Sequence, residues 1–382
     1  MPFTAASFGR KLSSLRADFG QDLATFSASS GIPAARLGTL EHGAEEPTGD
    51  EVLILADHFR KDFRFFLADD ARDPDTDIEL LFRERSGELS PSDRVSIAEF
   101  VYLCRSQAAL ERGLDRRPAR PGFRFRPQGK YFIGHGERCA QALRQHLDIG
   151  DTDVVRDVFA AMRGMGIKVF RRKLENSGIS GLYLNHPEAG PCVLVNHAEG
   201  LPRQRFSAAH EWGHGLMDEK PITMSMIGEW DSNTLVEVRA NTFASRILMP
   251  PALLISGERA RWADPREVSA WAGRLRVSVP ALLSALTAAK LIDGEQRETL
   301  RASAPRPPDP PDPELEGDFT PTQVERKQAL LERGLSKSYV DLCFDAYSRE
   351  IISRGLLAEM LLTTTAGTYE IGALFGRGVA SG

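Results

Sequence analysis

Apolar positions recur at helical spacing through most of this 382-residue chain, giving way to short apolar runs between Ile167 and His197. Residues 7–67 break into short helical stretches, punctuated by Gly20, Gly31, Gly43 and Pro47. Ser90-Pro91-Ser92-Asp93 reads as a helix start, and Val95, Ala98, Val101, Tyr102 and Ala108 carry that helix to about Gly113. Helices are predicted over 136–147 and 154–163, then short strands at 167–170, 181–184 and 191–197. The helical period returns over 205–217, 236–248 and 264–275, and again from the Val277–Pro280 turn through Ala289. Residues 304–313 hold six prolines and predict a stiff, extended linker. Beyond it, 338–353 and 356–362 form a last helical module, open to a role in sensing a signal or binding a partner.

The pattern predicts an α+β, mostly helical fold: an amino-terminal helical bundle (1–70), a helical connector with a basic linker (71–150), a domain holding all the strands (151–300), a Pro-rich linker (301–316) and a carboxy-terminal helical module (317–382). A content of 42% hydrophobic and 26% charged residues fits two or three globular domains. A net charge of −5 argues against wholesale coating of nucleic acid but leaves room for a local basic patch. No apolar run reaches the ~18 residues of a membrane span and no signal sequence precedes the first helix, which predicts a cytoplasmic protein without a membrane partner. Cys104, Cys139, Cys192 and Cys343 show no C-x-x-C spacing, so neither a disulfide framework nor a zinc finger is suggested.

The chemistry concentrates in His210-Glu211-Trp212-Gly213-His214, an H-E-x-x-H pattern inside a predicted helix. Histidines four apart share one helical face, so both imidazoles can reach one metal ion. Glu211, between them, can then take a proton from water. In the 236–248 helix, Glu237, Ala240, Asn241, Ala244 and Leu248 share a face. Small residues there allow a close approach that would bring Glu237 to ligand distance. His210, His214 and Glu237 would supply the three protein ligands of a catalytic Zn2+. Asn241 would fix the tautomer of one imidazole. Cys104 or Cys343 is either an inert buried thiol or a thiolate that caps the metal.

The run 204–214, the E-V-R-A-N-T-F-A stretch from Glu237 to Ala244, and Ile247-Leu248-Met249-Pro250 resemble the ImmA/IrrE metallopeptidases, over about residues 154–293. The resemblance implies a small zincin domain of the gluzincin type, zinc as cofactor, and a regulatory protease that cuts a transcriptional repressor. It also implies that the 264–275 and 277–289 pair, which scans like a helix-turn-helix, supports the peptidase domain. By zincin resemblance the strand before the metal helix, Cys192 to Asn196, would pair with substrate backbone. Tyr183 and His197 are the candidates for stabilising the oxyanion, with a plain surface histidine the other reading of His197.

Residues 31–47 are similar to the helix-turn-helix of the XRE/Cro repressors, which implies a five-helix bundle with Ala34, Ala35, Arg36 and Thr39 exposed for base contact. That helix offers one arginine and no Asn, Gln or Lys, and residues 1–67 carry seven basic against nine acidic groups. DNA binding and protein binding by a retained bundle both stay open; a homodimer is expected by resemblance alone. Residues 116–130 hold Arg116, Arg117, Arg120, Arg124, Arg126 and Lys130 with no acid, interleaved with Phe123 and Phe125. This suits single-stranded nucleic acid or a solvated linker. Three functions follow: a zinc endopeptidase whose partner is a DNA-binding repressor or antitoxin-like protein, in a stress, phage or defence response; a DNA-binding regulator tuned by its zincin domain; or an inactive zincin that binds protein. The intact Glu211 speaks against the third.

Overall fold

The computed structural model describes the chain except for residues 1–2, 62, 68–77, 79–80, 83–84, 86–88, 121, 177, 219–221, 227–233, 257–261 and 379–382. The expected domain boundary at 70/71 lies outside the described residues. Two compact units are present: Met1–Arg105 with Leu174–Asn176 and His186–Glu188, and the remainder.

Five helices open the first unit: α1 (Ala5–Asp18), α2 (Leu23–Ser30), α3 (Ala34–Glu41), α4 (Gly49–His58) and α5 (Phe63–Leu67). Local chemistry sets their ends. Thr4 and Asp22 accept N-cap bonds, and Thr48 with Glu51 forms a reciprocal capping box. Gly31 (φ 76°) ends α2 and Gly43 (φ 64°) turns the chain after α3, in a conformation open to glycine. Phe8, Leu12, Phe26, Leu37, Leu40 and Leu55 fill the core. The long helix α6 (Pro91–Gly113) starts in this unit. Its wholly buried Asp93 accepts from the Ser90 hydroxyl and from the Glu175 and Asn176 N–H groups.

The second unit continues with α7 (Phe132–His146), α8 (Val158–Gly164), β1 (Lys168–Arg172), β2 (Ile179–His186), β3 (Gly190–Asn196), α9 (Leu201–Met217), β4 (Ile222–Met226), α10 (Leu235–Leu248), α11 (Pro251–Ile255), α12 (Pro265–Leu275), α13 (Val279–Ala288) and α14 (Gly294–Ser303). The sheet runs β1-β3-β2-β4. β1 is parallel to β3, with Lys168 opposite Cys192, and β4 is antiparallel to β2, with Thr223 opposite Tyr183. The expected substrate strand is therefore corrected. Cys192 to Asn196 lies between two strands, and its main-chain groups are used on both sides. The edge on the β2 side is β4, a strand the sequence pattern did not predict.

Helix α9 is the centre of this unit: from Gln204 to His214 every residue but Phe206 is buried. A helix covered all round must satisfy its polar side chains within the fold. Arg205 does so by donating to the carbonyls of Val155, Arg156 and Arg276 at 2.5–3.1 Å. Arg144, equally buried, donates to Ile247 O at 2.7 Å and so covers an orphan carbonyl at the end of α10. Gly136 brings α7 against α10: a Cβ there would stand 2.5 Å from Arg239 O.

The Pro-rich stretch does not act as a spacer. Asp312 accepts both terminal nitrogens of the buried Arg171, at 2.6 and 2.9 Å. Lys173 N–H donates to Glu332 O at 2.9 Å, at the end of α15 (Pro321–Glu332). The last helices, α16 (Lys337–Ser348), α17 (Arg354–Met360) and α18 (Gly367–Phe375), belong to the same compact unit. Composition marked this stretch as extended; a buried ion pair, invisible in composition, anchors it.

Candidate metal centre

His210 and His214 lie one turn apart on α9, and their Nε2 atoms are 2.9 Å from each other. Helix α10 packs beside them because the contact is small: a Cβ on Gly213 would stand 3.0 Å from Phe243 Cδ1 and 3.4 Å from Ala240 Cα. That approach brings Glu237 Oε2 to 3.2 Å from His210 Nε2 and Oε1 to 3.4 Å from His214 Nε2. The three side chains form a cluster whose ligand atoms lie within 4.8 Å of one another, as the shared face on each helix predicted. Neither Cys104 nor Cys343 belongs to it. Both are buried, and burial pushes the Cys343 thiol up to about 12.

The far nitrogens are held as well. Asn241 Oδ1 stands 3.0 Å from His210 Nδ1, the contact predicted for it. Asp218 Oδ2 stands 2.6 Å from His214 Nδ1, and the buried Arg239 binds the other Asp218 oxygen. An oxygen at each Nδ1 favours the proton there and leaves Nε2 free for a metal. The sequence reading missed Asp218 and Arg239. The i+4 spacing from His214 to Asp218 was a usable signal for the first; Arg239 sits beside Glu237 and carries no comparable mark.

Burial opposes charge on Glu237 and His214, and the contacts of each outweigh it. Glu237 is held well below the usual carboxylate range because hydrogen bonds to His210 and His214 overcome its desolvation. His214 is desolvated too, yet its bonds to Asp218 and Glu237 push it up to about 10. Two imidazole nitrogens and a carboxylate converging on one point fit the donor set of a zinc ion.

Glu211 is wholly buried, and burial raises its carboxyl against the pull of the two histidines. Its Oε2 accepts from Thr223 Oγ1 of β4 at 3.4 Å, while Oε1 has no hydrogen-bond partner among the described residues. Space for it comes from Gly181 on β2, where a Cβ would lie 2.9 Å from Glu211 Cγ. Gly181, unnoticed as chemistry in the sequence, is the residue that admits the buried carboxylate. Tyr183, two residues on, packs its ring on α9: a Cβ at Gly215 would be 2.3 Å from it, and burial raises the phenol to about 12.

The other candidates fare differently. His197 donates its N–H to Arg172 O, and its charged neighbours are Arg171, Asp312, Glu332 and Lys173, so it faces the ion cluster at the end of β1 and not the centre. Its assignment as an oxyanion donor is corrected on that ground. On α3, Arg36 is engaged by its own unit: Glu51 takes two of its nitrogens at 2.7 and 2.8 Å, and Glu45 and Glu46 O take more. Thr39 bonds Ala35 O at 3.0 Å, and Ala35 is exposed.

In the basic stretch, exposure alternates. Arg124 and Arg126 face solvent, while Phe123 and Phe125 pack against the core of the second unit. Both rings are partly buried in that contact, which favours the linker reading over a stacking platform. Arg116 pairs with Asp345, Arg120 with Asp148 and His146 O, and the exposed Arg117 lies 3.8 Å from Asp115.

Residues 162–287 match the family model described as the IrrE N-terminal-like domain, Peptidase_M78. The matched stretch contains β1 to β4, α9 and α10, and with them the whole His210–His214–Glu237 cluster and Glu211. Over this part the chain is similar to ImmA/IrrE-type metallopeptidases. No curated protein matches the chain.

Proposed function

We propose that this protein is a zinc-dependent, site-specific endopeptidase that regulates transcription by cutting a DNA-binding repressor or antitoxin-like partner in the cytoplasm. The observation that carries the catalytic part is one arrangement: His210 and His214 Nε2 and the Glu237 carboxylate meet at a point, beside a buried Glu211 whose Oε1 has no hydrogen-bond partner among the described residues. A buried carboxylate with one oxygen left unpaired is costly as structure and useful as a base. Zinc, when bound, supplies the Lewis acid that activates water and polarises the scissile carbonyl.

The chain's own groups do the rest. His210, His214 and Glu237 hold the cation, and Asn241 and Asp218 keep both imidazoles in one tautomer. Glu211 takes the proton of the attacking water and returns it to the leaving amine. Its raised affinity for a proton suits that exchange. Tyr183, against α9 beside His214, remains our candidate oxyanion donor. Substrate backbone is assigned to the β4 edge, whose Thr223 touches Glu211. The repressor as substrate rests on the ImmA/IrrE resemblance.

Residues 1–70 are proposed as an XRE-like bundle that recruits a protein partner in preference to reading bases. Support comes from Arg36, the one long cation of α3, being closed by Glu51 and Glu45. The test is to compare new amino termini in host cells making wild type or Glu211→Gln, with and without DNA damage. One regulator fragment present with wild type alone is the expected result. Identical termini in every condition would sink the proteolytic reading.

A further inference from the structure

A cleft of about 490 Å³ opens one turn beyond the metal cluster, in the groove between α9 and α10. Phe206 and Arg203 line it from α9, Asn241 and Ser245 from α10, and Arg297 and Arg301 from α14. Asn241 is also the residue that holds His210, so cleft and centre share a wall. A second cavity of about 380 Å³ continues it past Arg203 and Arg301 to the Pro307–Pro310 stretch.

The charge of this cleft is one-sided. No carboxylate lines it among the described residues, while three guanidinium groups do. Arg203 is 3.5 Å from Glu199. Arg297 and Arg301 have no side-chain hydrogen bond or ion pair among the described residues, and they sit at i and i+4 on α14. Like charges at that spacing repel, and the helix dipole favours only Arg301, in the last turn of α14. An anion placed between them would relieve the repulsion.

We infer that this cleft is a specificity subsite of the proposed peptidase, taking an acidic side chain of the substrate between Arg297 and Arg301. The inference rests on the endopeptidase reading for its occupant, and on the cleft's charge and position for its chemistry. A polypeptide fits better than a free anion because the cleft is open and reaches Asn241, the residue that holds His210. Along α9, Arg203 lies about two turns from His210, roughly 11 Å. An extended chain covers that in about three residues. An acid at the Arg203 end of the cleft would therefore stand about three residues from the scissile bond.

The test separates binding from cleavage. Full-length Glu211→Gln loaded with zinc is titrated with two labelled octapeptide pools, random in neutral residues, one carrying a single Glu and the other a single Lys. Fluorescence anisotropy should show the acidic pool binding about tenfold tighter, as for a bidentate arginine–carboxylate contact. Arg297→Glu with Arg301→Glu should reverse the order. Arg297→Lys with Arg301→Lys should keep most of the preference, and unchanged circular dichroism verifies the fold in each case. Equal binding of the pools, no binding of either, or a preference that survives charge reversal would overturn the subsite. Wild type with zinc is then given the acidic pool, where a cut at a fixed distance from Glu supports both readings. Acid-selective binding with no cut would keep the subsite and remove the peptidase.

Discussion

Helix α9 and helix α3 each carry a motif whose residues suggest contact with something outside the chain, and the fold treats them in opposite ways. On α3 the chemistry is closed: Arg36 has Glu51, Glu45 and Glu46 O, and Thr39 has Ala35 O. On α9 it is open: two imidazole nitrogens and a carboxylate crowd one point, and Glu211 Oε1 is buried without a partner among the described residues. Chemistry left unsatisfied inside a fold marks where a ligand belongs, because burying it unpaired is otherwise a standing cost. A residue type at the right position is a weaker sign than its unused valence.

The sharpest way to break this comparison is Glu211→Gln. Loss of the proposed base should lower cleavage about 10²–10⁴-fold, with zinc stoichiometry by metal analysis unchanged. Equal loss of zinc would make Glu211 a structural support of the cluster.

Next comes the group behind the ligand. Asp218→Asn removes the charge that orients His214, and zinc affinity should fall about 10–100-fold in chelator competition. Unchanged affinity would mean Arg239 and Asp218 serve packing alone.

Zinc uptake should also depend on pH, with a sign fixed by His214. Its folded value, about 10, lies above the ordinary 6.5, so zinc must displace a proton at neutral pH. Affinity should rise with pH up to about 10, by about tenfold per unit for one proton. Calorimetry in buffers of different ionisation heat reads the proton released. The same shift means that His214 stabilises the metal-free fold fully below pH 6.5 and loses that contribution as pH rises through about 10. A zinc affinity flat between pH 7 and 9 would contradict the protonated state.

Gly181→Ala should clash with Glu211 and cost about 1–3 kcal/mol in thermal unfolding, along with part of the activity. The smallest effect is expected on α3. Arg36→Ala should shift the melting temperature slightly and leave zinc binding and cleavage as they were. A sequence-specific DNA complex lost on this substitution would show that the closed contacts of Arg36 open on binding, and would put the two helices in one class.

Much of the centre was legible because it follows from helical periodicity. Four-residue spacing put His210 with His214 and Glu237 with Asn241, and the small residues Ala240 and Ala244 marked the face of the second helix that meets the first. The three strands before α9 were readable from apolar runs. β4, with two methionines, a serine and a threonine among its five residues, had too weak a pattern to read. Phe123 and Phe125 stayed open between two readings because alternation with arginine describes a half-buried extended segment as well as a stacking surface.

The sequence alone determined the helical periods, the ligand types and their spacing, since these depend on residues a few positions apart on one helix. Tertiary structure alone decided which strand is an edge, which arginine is already paired, and that Asp312 anchors a proline-rich stretch to Arg171 across 141 positions. Those outcomes turn on which groups distant in the chain share a desolvated space. There, pairing and burial act on free energies that no local pattern records.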